Sequence, residues 1–178
     1  MSNPLNDAMR MLAAQPGAIF IGQGVAADGV ATFDHLEGVP FSQRIETPVV
    51  EELQVGMGIG MSLLGFLPIL IYPRMDFLLR AMDQLVNHLD KLELMSDGQF
   101  RPKVIIRTRV GSRTPLDPGP QHSQDHITAF RWLLSHKLTP DIEATYVNVE
   151  RIGWHGEIVE TYRRVIASPK SSIVVEAL

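Results

Sequence analysis

The chain alternates short apolar runs with helix-length amphipathic segments, and that alternation limits it to few folds. Ala18 to Ile21, bounded by Gly17 and Gly22, is a compact apolar run. Leu67 to Tyr72, Val104 to Arg107, Ala144 to Val149 and Ile173 to Glu176 are others. Runs that are apolar or β-branched without alternating in polarity read as strands covered on both faces. Between them, helical periodicity extends from Asn6 to Ala14, from Pro48 to about Leu64, from Asp76 to about Met95 and from Glu157 to Ala167. Thr47 is placed to cap the second of these helices, Pro48 to open it and Gly65 to stop it. Residues 24–43 and 111–124 read as loops, the second containing Pro115, Pro118 and Pro120. The alternation predicts an α/β fold, a doubly wound, mostly parallel sheet with helices on both faces. No repeat, low-complexity tract or linker is present, so residues 1–178 are expected to form a single domain. Ligands of such sheets bind beyond the carboxyl ends of the strands, which directs attention to the loops after Ile21, Tyr72 and Arg107.

Composition excludes several classes of function. Hydrophobic residues make up 45% and charged residues 20%, a globular balance. The net charge of -4 favours no nucleic-acid partner. The absence of cysteine removes disulfides, zinc–thiolate sites and cysteine nucleophiles, and fits a cytoplasmic protein. The first ten residues lack a signal-peptide pattern, and the longest apolar stretch, from Met61 to Tyr72, is too short and interrupted to span a bilayer.

Individual motifs are weak alone. Gly56, Gly58 and Gly60 lie inside a predicted helix, without the lysine or spacing of a nucleotide-binding loop. Each costs about 1 kcal/mol relative to Ala there. A close approach by another helix would offset the cost, either within the domain or at a subunit interface. Glu51 and Glu52 in the first turn could simply complement the helix dipole. His122 and Ser123 lack a third member for a triad. His122, Asp125 and His126 lack a second nearby carboxylate for a metal, so no metal site is expected in the chain itself.

In chain order these motifs become specific. Arg44-Ile-Glu-Thr-Pro-Val-Val-Glu51, then Asp76-Phe77, then Ala81-Met-Asp-Gln-Leu-Val-Asn87, then Gln121-His-Ser-Gln124 resemble transketolase-like thiamine-diphosphate enzymes. The resemblance is to their pyrimidine-binding domain, and above all to the beta subunits of 2-oxo acid dehydrogenases such as pyruvate dehydrogenase. It is close from about Ala18 to Gln124 and loose beyond. It implies a cofactor held between two domains, one binding the aminopyrimidine ring and the other the diphosphate and magnesium. By that resemblance Glu51 is the carboxyl that hydrogen-bonds the pyrimidine nitrogen and favours the imino form of the ring, which then removes the proton from the thiazolium carbon. Phe77 is the aromatic residue that stacks on the pyrimidine, and His122 is a histidine on the substrate side that transfers protons or binds the acceptor. Glu51 and His122 are thus the expected catalytic residues, with Glu51 and Phe77 holding the cofactor.

The departures shape the remaining expectations. Gln23 stands where the family usually has an acid, residues 28–43 form a shorter segment than usual, and the familiar Pro-Gly-Leu run is missing after Gln124. The last apolar run looks like the domain's final strand, so the carboxy-terminal domain usual in the family is expected to be absent. No Gly-Asp-Gly motif with a downstream Asn appears. The implied protein is one subunit of a split enzyme, acting with a diphosphate-binding, alpha-type partner in a hetero-oligomer or homodimer. Its substrate would be a 2-oxo acid or a sugar, and its chemistry that of an oxidoreductase or transferase. The alternatives are a non-catalytic structural or regulatory subunit and an unrelated α/β ligand-binding domain.

Overall fold

The structure, a computed structural model, describes residues 3–29, 31–111, 117–134, 136–139, 142–144 and 146–177. In chain order the regular elements are α1 (Pro4–Ala13), β1 (Ala18–Gly22), α2 (Ala31–Asp34), β2 (Arg44–Glu46), α3 (Glu51–Leu63), β3 (Leu67–Ile71), α4 (Met75–Leu78), α5 (Leu92–Met95), β4 (Ile105–Arg109), α6 (Ile127–Leu134), β5 (His136–Thr139), β6 (Ile142–Ala144), β7 (Val147–Ile152), α7 (Ile158–Ala167) and β8 (Ser171–Glu176).

Six strands form one parallel sheet in the order β2-β1-β3-β4-β8-β7, while β5 and β6 form a separate antiparallel hairpin. Side chains alternate across the main sheet and feed two cores. Ile21, Leu70, Ile106 and Ile173 pack under α3, the helical stretch 75–95 and α6. Phe20, Ile69, Ile105 and Val174 pack under α1 and α7. Helices therefore cover both faces, and the doubly wound parallel α/β fold stands. The order reverses between β1 and β3, which puts the ligand-binding crevice of such folds at the ends of those two strands.

Several elements depart from expectation. Helix α3 begins at Glu51, and Thr47 does not cap it: the Thr47 N–H donates to the Gly22 carbonyl at 3.0 Å, extending the β1–β2 pairing. A turn follows, closed by the Val50 N–H on the Pro48 carbonyl at 2.8 Å. Gly65 does end the helix, with φ +89. The stretch expected as one helix from 76 to 95 breaks into α4, a 3-10 turn (Leu79–Ala81), a π-helical segment (Gln84–Leu89) and α5. The wider π turn carries Leu85 and Leu89 onto the sheet. The run from Ala144 to Val149 is split: Ala144 ends β6, whereas β7 begins at Val147. Pro115 lies outside the described residues. No helix among the described residues is long and apolar enough to cross a membrane.

Candidate functional site

The crevice between β1 and β3 is shaped by a glycine and a glutamine. A Cβ on Gly22 would lie 2.4 Å from the Ile71 carbonyl oxygen, so only glycine lets the two strand ends approach this closely. The Gln54 amide nitrogen donates to the carbonyls of Ile21 at 2.8 Å and Ile71 at 3.1 Å. The start of α3 is thereby bolted over both strand ends.

One turn earlier on the same helix sits Glu51, whose side chain is 6% exposed; Glu52 points outward. The Tyr72 hydroxyl donates to the Glu51 main-chain carbonyl at 2.8 Å. Burial, and then the Glu51 charge, push the Tyr72 hydroxyl well above its ordinary pKa, so it remains a donor. The Glu51 carboxylate has a distant ionic neighbour, Arg80 Nε at 3.9 Å. It accepts no hydrogen bond from a described residue, which leaves its lone pairs available to a ligand.

Phe77 lies on α4, held by buried Met75 and Leu78. Its ring meets that of His122 edge-on, with centroids 5.3 Å apart and planes at 86°. His122 comes from the segment after β4, where its N–H donates to the Gly119 carbonyl at 3.2 Å. Its Nδ1 is buried without a hydrogen-bond partner among the described residues. The structure thus joins Phe77 to His122, and Arg80, on the turn after Phe77, to Glu51. Nearby, Asp76 accepts a hydrogen bond from Gln124 Nε2 at 3.0 Å and lies 3.9 Å from His126 Nε2. This carboxylate is close in space to residues 122–126 but far from them in sequence.

Other polar groups brace the same end of the sheet. Arg107 and Glu176 form a bidentate pair at 2.8 and 2.9 Å, and Tyr162 donates to Glu176 at 3.0 Å. Burial alone would raise the Glu176 pKa, but the Arg107 charge and these bonds outweigh it and lower the pKa. His35 Nδ1 lies 3.2 Å from Arg107 Nη2. Burial and the Arg107 charge push its pKa down to about 4, so it is neutral and accepts from Arg107 at ordinary pH. Only a small cavity, of about 10 Å³, lies between His35, Tyr72 and Arg107. Arg44 anchors the preceding loop by donating to the carbonyls of Val25, Leu36 and Val39 and by covering the rings of Phe33 and Phe41.

Gly56 and Gly60 do not meet a helix backbone within the described chain. A Cβ on Gly56 would find only Gln84 Oε1 at 3.6 Å, and one on Gly60 nothing within 4 Å. The close approach is made by Gly58, against Leu70 at 3.0 Å.

Sequence reasoning missed Gln54, Tyr72, Asp76 and the Arg107–Glu176 pair. Two of these had a local signal: Gln54 is a second polar residue on the buried face of α3, one turn after Glu51, and Asp76 precedes Phe77 in its motif.

No protein-family model matches the chain. Curated proteins do. A pyruvate dehydrogenase E1 component subunit beta from Rickettsia bellii is 26% identical over 144 residues, 79% of this chain and 44% of that protein. The chloroplastic subunit beta-3 from Arabidopsis thaliana is 39% identical over 80 residues, 45% of this chain and 19% of that protein. The chain therefore spans less than half the length of these relatives. Among solved structures, a split-gene transketolase described as an inactive beta4 tetramer matches with TM-score 0.66 and 13% identity, over 98% of this chain and 50% of that one. The Campylobacter jejuni transketolase matches with TM-score 0.67 and 14% identity, over 97% of this chain and 25% of its own. The chain is a sequence relative of the pyruvate dehydrogenase E1 beta subunits, built on the fold found in transketolases.

Proposed function

We propose that this chain is the pyrimidine-binding subunit of a split thiamine-diphosphate enzyme acting on a 2-oxo acid or a ketose. The observation that carries the reading is Glu51: a carboxylate almost fully buried at the switch point, with no hydrogen bond from a described residue and with Phe77 one helical turn from its ionic neighbour Arg80. A buried carboxylate without donors is costly unless a ligand supplies them.

The residues present fit the aminopyrimidine end of that cofactor. Glu51 would accept a hydrogen bond from the ring, and the half-buried Phe77 offers an aromatic surface for stacking. When bound, the cofactor would supply a carbanion-type nucleophile suited to the carbonyl of the substrate. Glu51 would share a proton with the ring nitrogen. Its burial holds that proton away from water. His122, beside Phe77, exchanges protons with the substrate or binds the acceptor. The diphosphate and magnesium fall to an alpha-type partner chain, in a hetero-oligomer or across a homodimer. The site of action would be the cytoplasm.

Titration calorimetry tests this. Thiamine diphosphate with magnesium should bind weakly or not at all to the chain alone, and at micromolar concentrations once a Gly-Asp-Gly-containing partner is added. Tight binding by the partner alone, unchanged by this chain, would instead make this a non-catalytic subunit.

A further inference from the structure

We infer that Asp76 is a positioning residue: its carboxylate draws residues 122–126 onto the turn that carries Phe77 and so sets how His122 meets the Phe77 ring. The consequence for catalysis rests on the function proposed above; the positioning itself does not.

The Asp76 side chain is only 6% exposed, and the helix it belongs to has four residues. So short a helix has little dipole to complement. Glu52 shows how an ordinary first-turn acid behaves, since it faces solvent. The partners of Asp76 all come from the distant segment. Gln124 Nε2 donates to its Oδ1 at 3.0 Å, across 48 positions of sequence. His126 Nε2 lies 3.9 Å from the same oxygen. Neither Asp76 Oδ2 nor His126 Nε2 has a hydrogen-bond partner among the described residues, so the nearest described polar neighbour of the His126 ring nitrogen is the Asp76 carboxylate. The His126 N–H adds a contact to Met75 Sδ at 3.4 Å.

The opposite side of the segment is fixed by Gly111. A Cβ there would lie 1.9 Å from the His122 carbonyl oxygen, so the backbone at His122 rests directly on that glycine. His122 is therefore gripped between the Gly111 main chain and the Phe77 ring. The other described ties of the segment lead elsewhere: His122 N and Ser123 Oγ donate to the Gly119 carbonyl, Asp125 accepts from the Ile127 N–H at 3.0 Å, and Asp125 lies 3.9 Å from Arg151 Nε. The polar ties that reach across to the Phe77 turn are those of Asp76 and the Met75 contact.

The test is nuclear magnetic resonance of the full chain with labelled histidine. Phe77→Leu first defines how far the ring displaces the His122 imidazole signals. Asp76→Ala should move those signals at least halfway to the Phe77→Leu position. Asp76→Asn keeps an acceptor for Gln124 and the size of the side chain, so it should stay near the parent. His122 signals unmoved by Asp76→Ala would overturn the inference. If Asp76→Ala fails to fold, Gln124→Ala and His126→Ala remove the ties from the other side, and no movement in either would overturn it equally. In the reconstituted complex, Asp76→Ala should lower kcat more than it raises KM, with partial rescue by Asp76→Asn. Moved signals with unchanged kcat would uphold the positioning and overturn the role proposed for His122.

Discussion

The hydroxyl of Tyr72 donates to the main-chain carbonyl of Glu51 at 2.8 Å, joining the residue that follows β3 to the first turn of α3. The carboxylate placed at the switch point is thus held by its own backbone as well as by its helix. Tyr72→Phe removes this one bond and keeps the packing. Urea unfolding should show a loss of about 1 kcal/mol. Cofactor affinity in the reconstituted complex should fall as Glu51 loosens; unchanged affinity would show that the helix alone suffices.

Glu51 and Glu52 are adjacent and chemically alike but differ in burial, which makes them a controlled pair. Glu51→Gln keeps the shape and removes the shareable proton. It should slow deuterium exchange at the thiazolium carbon by a factor of about 100 or more in the reconstituted complex. Glu52→Gln should cost only a helix-end interaction, below about 1 kcal/mol. A larger defect in Glu52→Gln would mean that the wrong carboxylate has been assigned.

The Arg107–Glu176 pair spans 69 positions of sequence and is buried at both ends. Glu176→Gln leaves the Arg107 charge without its counter-ion. Breaking one partner of such a pair costs about 3–5 kcal/mol. Replacing both, as in Arg107→Met with Glu176→Leu, should cost less than either single change. Chemical denaturation of Arg107→Met, Glu176→Leu and the double variant checks this, and additive losses would contradict it.

His35 should make stability depend on pH. Its folded pKa, about 4, lies below its ordinary 6.5, so the unfolded chain takes up a proton in that interval while the folded chain refuses it. Its contribution is therefore intact above 6.5 and is lost progressively as pH falls toward 4. The slope for this one group is at most about 1.4 kcal/mol per pH unit, reduced by its partial exposure. Glu176, with its pKa held low, adds a loss only below the ordinary carboxylate range. His35→Gln should flatten the decline in melting temperature between pH 6.5 and 4 and leave the more acidic part.

Strands β1, β3, β4 and β8 could be read directly because each contains a compact apolar run, whereas β2, with only Ile45 apolar, gave no such signal. Glu51, Phe77 and His122 were singled out because each sits in an ordered motif. What escaped did so for physical reasons. Periodicity near 3.6 cannot distinguish an α-helix from one that widens at residues 84–89, since the buried positions differ by a single register step. Thr47 looked like a cap because its side chain suits one, yet its N–H pairs with Gly22, a contact set by the sheet. Arg107 and Asp76 find their partners 69 and 48 positions away, beyond the reach of any local pattern. Helix α6 and the β5–β6 hairpin fall where motif resemblance had faded.

The position of β8 between β4 and β7 also dictates the order of assembly. The strands β1, β2 and β3 can pair across short connections as soon as residues 18–71 are available. Strand β7 pairs with β8 alone in the main sheet, and β8 reaches β4 across more than 60 intervening residues. Closing so long a loop is slow, because its entropy is lost before the new contacts form. The pairing expected to form last is thus the one between β4 and β8: it joins a unit of β1, β2 and β3, which carries the Glu51 crevice, to a β7–α7–β8 unit whose strands are separated by fewer than 20 residues of sequence.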